Sequence, residues 1–366
     1  DHVRVTTSMD YSAPAWLPGG NLQTIWPALY ARRVLGAPLC YRRERWGTPD
    51  ADFIDVDWLL DEIAPTLVTA CTALPPTGAC LAWDGPAQRP DALPNSAGAA
   101  RPLLVLFHGL EGSSGSHYAQ AFAEFARERR MAYAVPHFRG CSGEINLAPR
   151  AYHSGDFEEI DWIRRRFRHQ HKGPIWAVGV SLGGNALLRW AQEAGTQAGA
   201  VVSAVAAVSS PIDLAAGGAA IGRGFNRLVY TRMFLATMKP KALQKLAQHP
   251  GLFDRQALLA AQNLYDFDNA FTAPLHGFEN TEDYWRRGSA KPRLAEICVP
   301  ALVVNARNDP FVPAACLPTK ADVGPYVTLW QPEHGGHVGF PQGRMPGHVR
   351  AMPDAVGRWL QAADAH

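Results

Sequence analysis

The sequence predicts an α/β fold: a mainly parallel sheet with helices on both faces and an inserted helical lid. Three observations predict it. From residue 102 onward, short apolar runs alternate with stretches of helical spacing, the pattern of a parallel sheet covered on both sides. Over residues 211 to about 290 that rhythm stops, and helical text runs on without a strong strand. A serine between glycines, GVSLG (179–183), sits where a buried strand meets a helix.

In chain order, residues 1–40 are rich in Pro, Gly and aromatics without clean periodicity. FIDVDWL (53–59) alternates and reads as a strand. Residues 69–101 are rich in Pro, Ala and Gly, which predicts a long surface loop inserted in the core. LLVLF (103–107), MAYAVPHF (131–138), IWAVGV (175–180) and AVVSAVAAVSS (200–210) read as buried strands. HYAQAFAEFARERR (117–130), DFEEIDWIRRRFRHQ (156–170) and LGGNALLRWAQEA (182–194) read as the helices between them. Acids early and bases late in the second of these suit the helix dipole. PALVVNAR (300–307) and YVTLWQ (326–331) resume the strands, and HVRAMPDAVGRWLQAADA closes the chain as a helix. The expected division is a core of residues 1–210 and 291–366, with residues 211–290 as a helical lid.

Composition narrows the function. Of 366 residues, 47% are apolar, enough for a sizeable core. The formal charge of +2, from 35 basic and 33 acidic residues, gives no reason to expect nucleic acid as a partner. Cys40, Cys71, Cys80, Cys141, Cys298 and Cys316 form no CxxC pair, so no zinc site is expected. Their scatter fits reduced thiols and a cytoplasmic location. No signal peptide and no transmembrane run of about 18 apolar residues is legible. The chain begins at Asp1 rather than Met, which leaves room for an upstream segment.

The chemistry rests on GVSLG. A buried strand before it and a helix after it are what a nucleophile elbow requires. The tight turn strains Ser181, and glycines at 179 and 183 remove side chains that would clash. The competing reading is a serine that merely caps the helix. A serine hydroxyl needs a base and an oxyanion site. HGLEGSSGSH (108–117), directly after a strand, supplies the second half of such a site, with the backbone N–H groups of Leu110 and Leu182 as the expected donors. His108 is expected to hold that loop rather than react. Asp309, in the loop after PALVVNAR, is the candidate acid, with Asp213 in SSPIDL as its competitor. EHGGHVGF (333–340) follows the last strand, where the base belongs. Both His334 and His337 are in range, and the glycines around His337 favour it. RGCSGE is expected to be a glycine-rich loop braced by an Arg139–Glu144 pair, with Cys141 not a nucleophile. HPGLFD (249–254) matches an H-x4-D pattern that arises readily by chance. The bulky run FNRLVYTRMFLATM (225–238) reads either as an acyl-chain pocket or as ordinary helix packing.

These motifs resemble the YheT-like branch of the α/β-hydrolases, related to the animal ABHD-type membrane hydrolases. PAWLPGGNLQTIWPAL (14–29), HGLEGSSGSHY, FRGCSGEINLAPRAYHSGD (138–156), GVSLGGN, FDNAFTAPLHGF (267–278) and HGGHVGF carry the likeness. The resemblance implies an α/β-hydrolase fold with Ser181 as nucleophile, Asp309 as acid and His337 as base. It implies a serine esterase that needs no cofactor and acts on small-molecule esters with short or medium acyl chains. Asn21 stands where that branch is expected to carry His, and the 69–101 segment is longer than its pattern. Two further readings stand beside hydrolysis: acyl transfer by the same triad, and a non-catalytic binding protein. The oligomeric state is not legible.

Overall fold

The structure, a computed structural model, describes residues 9–61, 80–83 and 101–365. Nine strands among them form one sheet: β1 (Cys40–Gly47), β2 (Phe53–Leu59), β3 (Cys80–Trp83), β4 (Leu103–Phe107), β5 (Ala132–Pro136), β6 (Ile175–Val180), β7 (Ala204–Val208), β8 (Ala301–Val304) and β9 (Val327–Trp330). Their order is β3-β1-β2-β5-β4-β6-β7-β8-β9. β2 runs antiparallel to both its neighbours, and every other pairing is parallel. The mainly parallel α/β sheet expected from the sequence is therefore present.

Alternation along each strand sends side chains to two cores. Leu104 and Leu106 of β4 pack with Phe122 and Phe125 of α2 (His117–Glu128; α1 is Gly20–Leu29). Leu103, Val105 and Phe107 face the other way, onto Ile160 and Phe167 of α3 (Phe157–Gln170) and Leu187 and Trp190 of α4 (Leu182–Ala194). All of these are essentially inaccessible to solvent. Each such side chain contributes about 1.5–3 kcal/mol of burial energy, so the sheet is a rigid platform for whatever its strand ends carry.

Residues 211–290 contain helices and turns only. The main pieces are α5 (Leu214–Ile221), α6 (Arg232–Gln248) and α7 (Thr281–Gly288); the last helix of the chain is α8 (Ala351–Asp364). Two π-helical turns interrupt the segment, at Arg227–Thr231 and Asp268–Thr272. Leu235, Leu258, Phe267 and Phe271 give it a small core of its own.

Several boundaries differ from the sequence expectation. Residues 195–200 form a 3-10 turn, and β7 is confined to 204–208. An unbroken Ala/Val run does not by itself say where a strand begins. β1 and α1 were not foreseen. Within the 69–101 segment, expected to be a loop, residues 80–83 are a strand parallel to β1. Residues 69–79 and 84–100 lie outside the described residues. No helix among the described residues is long and apolar enough to cross a membrane.

Candidate active site

Strand β6 is buried along its whole length and ends at Ser181. The Ser181 N–H bonds to the Val208 carbonyl of β7 at 2.8 Å, while its own carbonyl accepts the first amides of α4. This sharp junction puts Ser181 at φ 52°, ψ −119°, a region non-glycine residues seldom occupy. Gly183 makes the junction possible. A Cβ there would lie 2.4 Å from the His108 carbonyl oxygen and 2.5 Å from that of Phe107. The Ser181 side chain does not cap α4, which removes the capping alternative.

Instead, Ser181 Oγ lies 3.0 Å from His337 Nε2. His337 Nδ1 lies 2.9 Å from Asp309 Oδ2 and 3.2 Å from Oδ1. A carboxylate only accepts, so Nδ1 carries the proton and Nε2 is left to accept from the serine. Asp309 is nearly inaccessible, its Oδ1 also accepts the Phe311 N–H at 2.7 Å, and the Phe311 ring lies against the imidazole at 4.1 Å. The competitors are elsewhere. Asp213 caps α5 by accepting from Ala216 N–H, and His334 is exposed, at 3.5 Å from Asn308 Nδ2.

The loop that carries His337 is strained and heavily braced. Gly336, Val338 and Phe340 all have positive φ, at 61°, 59° and 43°; for β-branched Val338 this is costly. The bracing comes from α1. Thr24 Oγ1 accepts the His337 N–H at 2.8 Å and donates to the Gly20 carbonyl at 2.7 Å. Gln23 Oε1 accepts from both Gly335 N–H and Asn308 Nδ2 at 2.9 Å. Asn308 Oδ1 in turn accepts the Gly336 N–H at 3.0 Å. Ser209 Oγ accepts the Val338 N–H, and His117 Nε2 donates to the Val338 carbonyl. Thus α1 ties the His337 loop to the Asp309 loop. Gln23 and Thr24 were missed in the sequence because the prolines and glycines around them hid the helix. The one signal was their place in PAWLPGGNLQTIWPAL. Asn21, the departure in that stretch, accepts a hydrogen bond from Tyr230 OH at 2.9 Å.

Leu110 and Leu182 line the same cavity as Ser181 and His337. Leu182 opens α4, so its N–H is among those a helix leaves without an internal partner. The 108–117 loop is fixed from below. His108 Nε2 accepts the Phe138 N–H at 3.0 Å, so its Nδ1 is the protonated nitrogen and donates to the Gly109 carbonyl at 2.8 Å. Burial pushes this imidazole down to about 3, so it stays neutral. Glu111, at φ 57°, is clamped by Tyr152 OH, which accepts its N–H and donates to Oε1, and by Lys241 Nζ at 2.7 Å.

Two expectations for the neighbouring loop need correction or closure. Arg139 pairs with Asp50, Asp52 and Glu159, not with Glu144, which pairs with Arg45. The reason is direction: the Arg139 side chain turns inward beneath the loop, whereas Glu144 points to solvent. Burial pushes the Cys141 thiol up to about 12, so it is not a thiolate nucleophile at neutral pH. Cys40, Cys141, Cys298 and Cys316 are free thiols. In HPGLFD, His249 bonds the Leu147 carbonyl and Asp254 caps a short helix.

The cavity at Ser181 measures about 120 Å³ and is walled largely by Pro211, Leu214, Ile221, Phe234, Met238 and Phe311. Of the bulky run 225–238, Phe234 and Met238 reach it, while Phe225, Leu228 and Met233 are exposed. A second cavity of about 70 Å³ adjoins it and shares Leu110, Leu182, Met238, Asp268 and Tyr284 as walls.

The sequence itself has well-defined relatives. A family model described as the alpha/beta hydrolase fold matches residues 102–343. YheT of Escherichia coli (strain K12), named only provisionally as an esterase, is 35% identical over 346 residues, 93% of this chain and 89% of its own. Human phospholipase ABHD3 is 26% identical over 375 residues, 100% of this chain and 82% of its own. A Saccharomyces cerevisiae protein named medium-chain fatty acid ethyl ester synthase/esterase 2 is 27% identical over 267 residues, 65% of this chain and 58% of its own. With a serine at the strand–helix junction, a mainly parallel sheet behind it and this extent of likeness, the chain belongs to the YheT-like branch of the α/β-hydrolase fold family.

Proposed function

We propose that the protein is a serine hydrolase of carboxylic esters that works through an acyl-enzyme on Ser181. The observation that carries the reading is the chain of contacts from Ser181 Oγ to His337 Nε2 and from Nδ1 to Asp309, opening on an apolar cavity. His337 Nε2 takes the hydroxyl proton as Oγ attacks the ester carbonyl. Asp309 keeps the imidazole in the tautomer that can accept and stabilises its charged form. The N–H groups of Leu110 and Leu182 receive the oxyanion, each worth on the order of 3 kcal/mol of barrier. His337 then protonates the leaving alcohol. Water, deprotonated by the same imidazole, attacks the acyl carbon and releases the acid and free serine. The steps as written call on no metal or organic cofactor.

Residues 211–290 act as the lid of this site. They supply Leu214, Ile221, Phe234 and Met238 to the cavity wall, which suits a short or medium acyl chain and keeps bulk water from the reacting carbon. The relatives' names, an esterase and a phospholipase, agree with ester cleavage. The yeast relative's name favours a second reading, in which an alcohol rather than water takes the acyl group from Ser181.

The test is turnover of p-nitrophenyl butyrate by wild type and by Ser181→Ala, with and without added ethanol. Loss of about 10⁴-fold or more in the variant is expected. Ethyl butyrate as the main product in ethanol would select the transfer reading. Undiminished turnover in Ser181→Ala would sink both.

A further inference from the structure

Where the two cavities meet stands a carboxylate that the reaction above does not use. Asp268 lines both the cavity at Ser181 and its neighbour. It begins a π-helical turn, Asp268–Thr272, in the helical segment. Such turns cost regularity and occur often at functional sites. Two neutral donors fix the side chain: Thr272 Oγ1 at 2.7 Å from Oδ1 and Trp285 Nε1 at 2.9 Å from Oδ2. A carboxylate has about four acceptor positions, so these two donors take about half of its capacity. Among the described residues no Lys, Arg or His pairs with it.

The other charges around the two cavities are already committed. Lys241 pairs with Glu111, Lys245 donates to the carbonyls of Asn146 and Ala148, and Arg139 serves three carboxylates. Phe267, Phe271, Tyr284 and Met238 line the second cavity together with Asp268, and its wall is mostly apolar. Burial pushes its carboxyl up to about 6 against those two hydrogen bonds, so at neutral pH it remains largely ionised, at a cost. A donor arriving with the substrate would offset that cost.

We infer that Asp268 is a specificity-determining residue: its carboxylate receives a hydrogen-bond donor, a hydroxyl or an ammonium N–H, carried by the ester substrate. The substrate class is then an ester that joins an apolar portion, for the cavity at Ser181, to a donor-bearing group reaching the junction with the second cavity. This inference rests on Ser181 being the nucleophile. The alternative is that Asp268 only pins Trp285 and Thr272, which would fix the wall of the cavity and leave substrate choice untouched.

Matched esters separate the two. Wild type is assayed on propyl butyrate, 2-hydroxyethyl butyrate and 2-(dimethylammonio)ethyl butyrate, and on propyl hexanoate against propyl 6-hydroxyhexanoate to place the donor on the acyl side. At least one donor-bearing ester should exceed its apolar match by about tenfold or more in kcat/KM. Asp268→Leu should bring that ratio near one. Asp268→Asn keeps an acceptor without the charge, so it should retain part of a hydroxyl preference and lose an ammonium preference. No preference for any donor-bearing ester in wild type, or a preference that survives Asp268→Leu, overturns the inference. The wild-type comparison stands even if neither variant folds. Ser181→Ala run in parallel keeps the outcomes apart: turnover that persists there contradicts the nucleophile, whereas Ser181-dependent turnover with equal ratios contradicts only the role of Asp268.

Discussion

Thr24 and Gln23 hydrogen-bond not to Ser181 but to the loop that carries His337. The His337 backbone N–H has Thr24 Oγ1 as its acceptor, and the loop beyond it holds Val338 in a left-handed conformation. Removing the hydroxyl leaves a buried donor unpaired, at a cost of about 1–3 kcal/mol. That energy is spent where the imidazole must stay within reach of the serine. Thr24→Val should therefore lower kcat about tenfold or more with little change in KM, and Thr24→Ser should restore most of it. Steady-state kinetics with thermal unfolding as a control checks this; a drop confined to stability would assign Thr24 to folding alone. How far such residues could be read in advance differs sharply. The convergence of Ser181, Asp309 and His337 was legible because each follows a strand and carries turn chemistry around it. Thr24 and Gln23 were not, since their work depends on loops about 300 residues away, and nothing local marks a hydroxyl as the acceptor for a distant amide.

Strands and helices followed the same rule. FIDVDWL, LLVLF, IWAVGV and LGGNALLRWAQEA were delimited to the residue, because burial on both sheet faces or one helix face writes its period into neighbouring positions. β1 escaped because CYRRERWG reads as a charged surface. Its Arg43 and Arg45 stand directly opposite Asp57 and Asp55 of β2 and pair with them, a cross-strand arrangement visible only once the register is known. The α1 helix escaped through Pro18, Gly19 and the internal Pro27. At the junction of β6 and α4 the fit between elements is tighter than a methyl group. Since a Cβ on Gly183 would meet backbone carbonyl oxygens rather than movable side chains, Gly183→Ala should destabilise the protein by about 3 kcal/mol and abolish activity. Chemical denaturation measures the first; a change below about 0.5 kcal/mol would contradict the geometry.

A network of buried carboxylates ties the β1–β2 pair of the sheet to the loops beside the site. Asp57 of β2 accepts from Arg43, from His137 Nε2 at 2.9 Å and from Ser114 Oγ at 2.6 Å, the last within the 108–117 loop. Burial opposes ionisation of Asp57, but Arg43 and His137 outweigh it and hold the carboxyl well below the usual range. Asp52 is likewise opposed by burial and held at about 2 by Asn146, by the Leu147 and Phe53 N–H groups and by Arg139. Both are depressed relative to the unfolded value of about 3.9. Their stabilisation is thus complete above that value and is lost as pH falls toward 2. Asp57→Asn should be less stable than wild type at pH 7; that difference should hold steady down to about pH 5 and shrink steeply below about 4, as chemical denaturation of the two proteins side by side would measure. A variant whose deficit grows as pH falls would contradict the assignment. The proposed catalysis turns on a covalent bond at one oxygen, Ser181 Oγ. Incubation with p-nitrophenyl butyrate, an acid quench within the first turnovers and mass analysis of the proteolysed chain tests it most directly. The predicted result is a butyryl group on the peptide that contains Ser181 and none on the Ser181→Ala protein. An unmodified Ser181 during sustained turnover, or the acyl group on another residue, would contradict it.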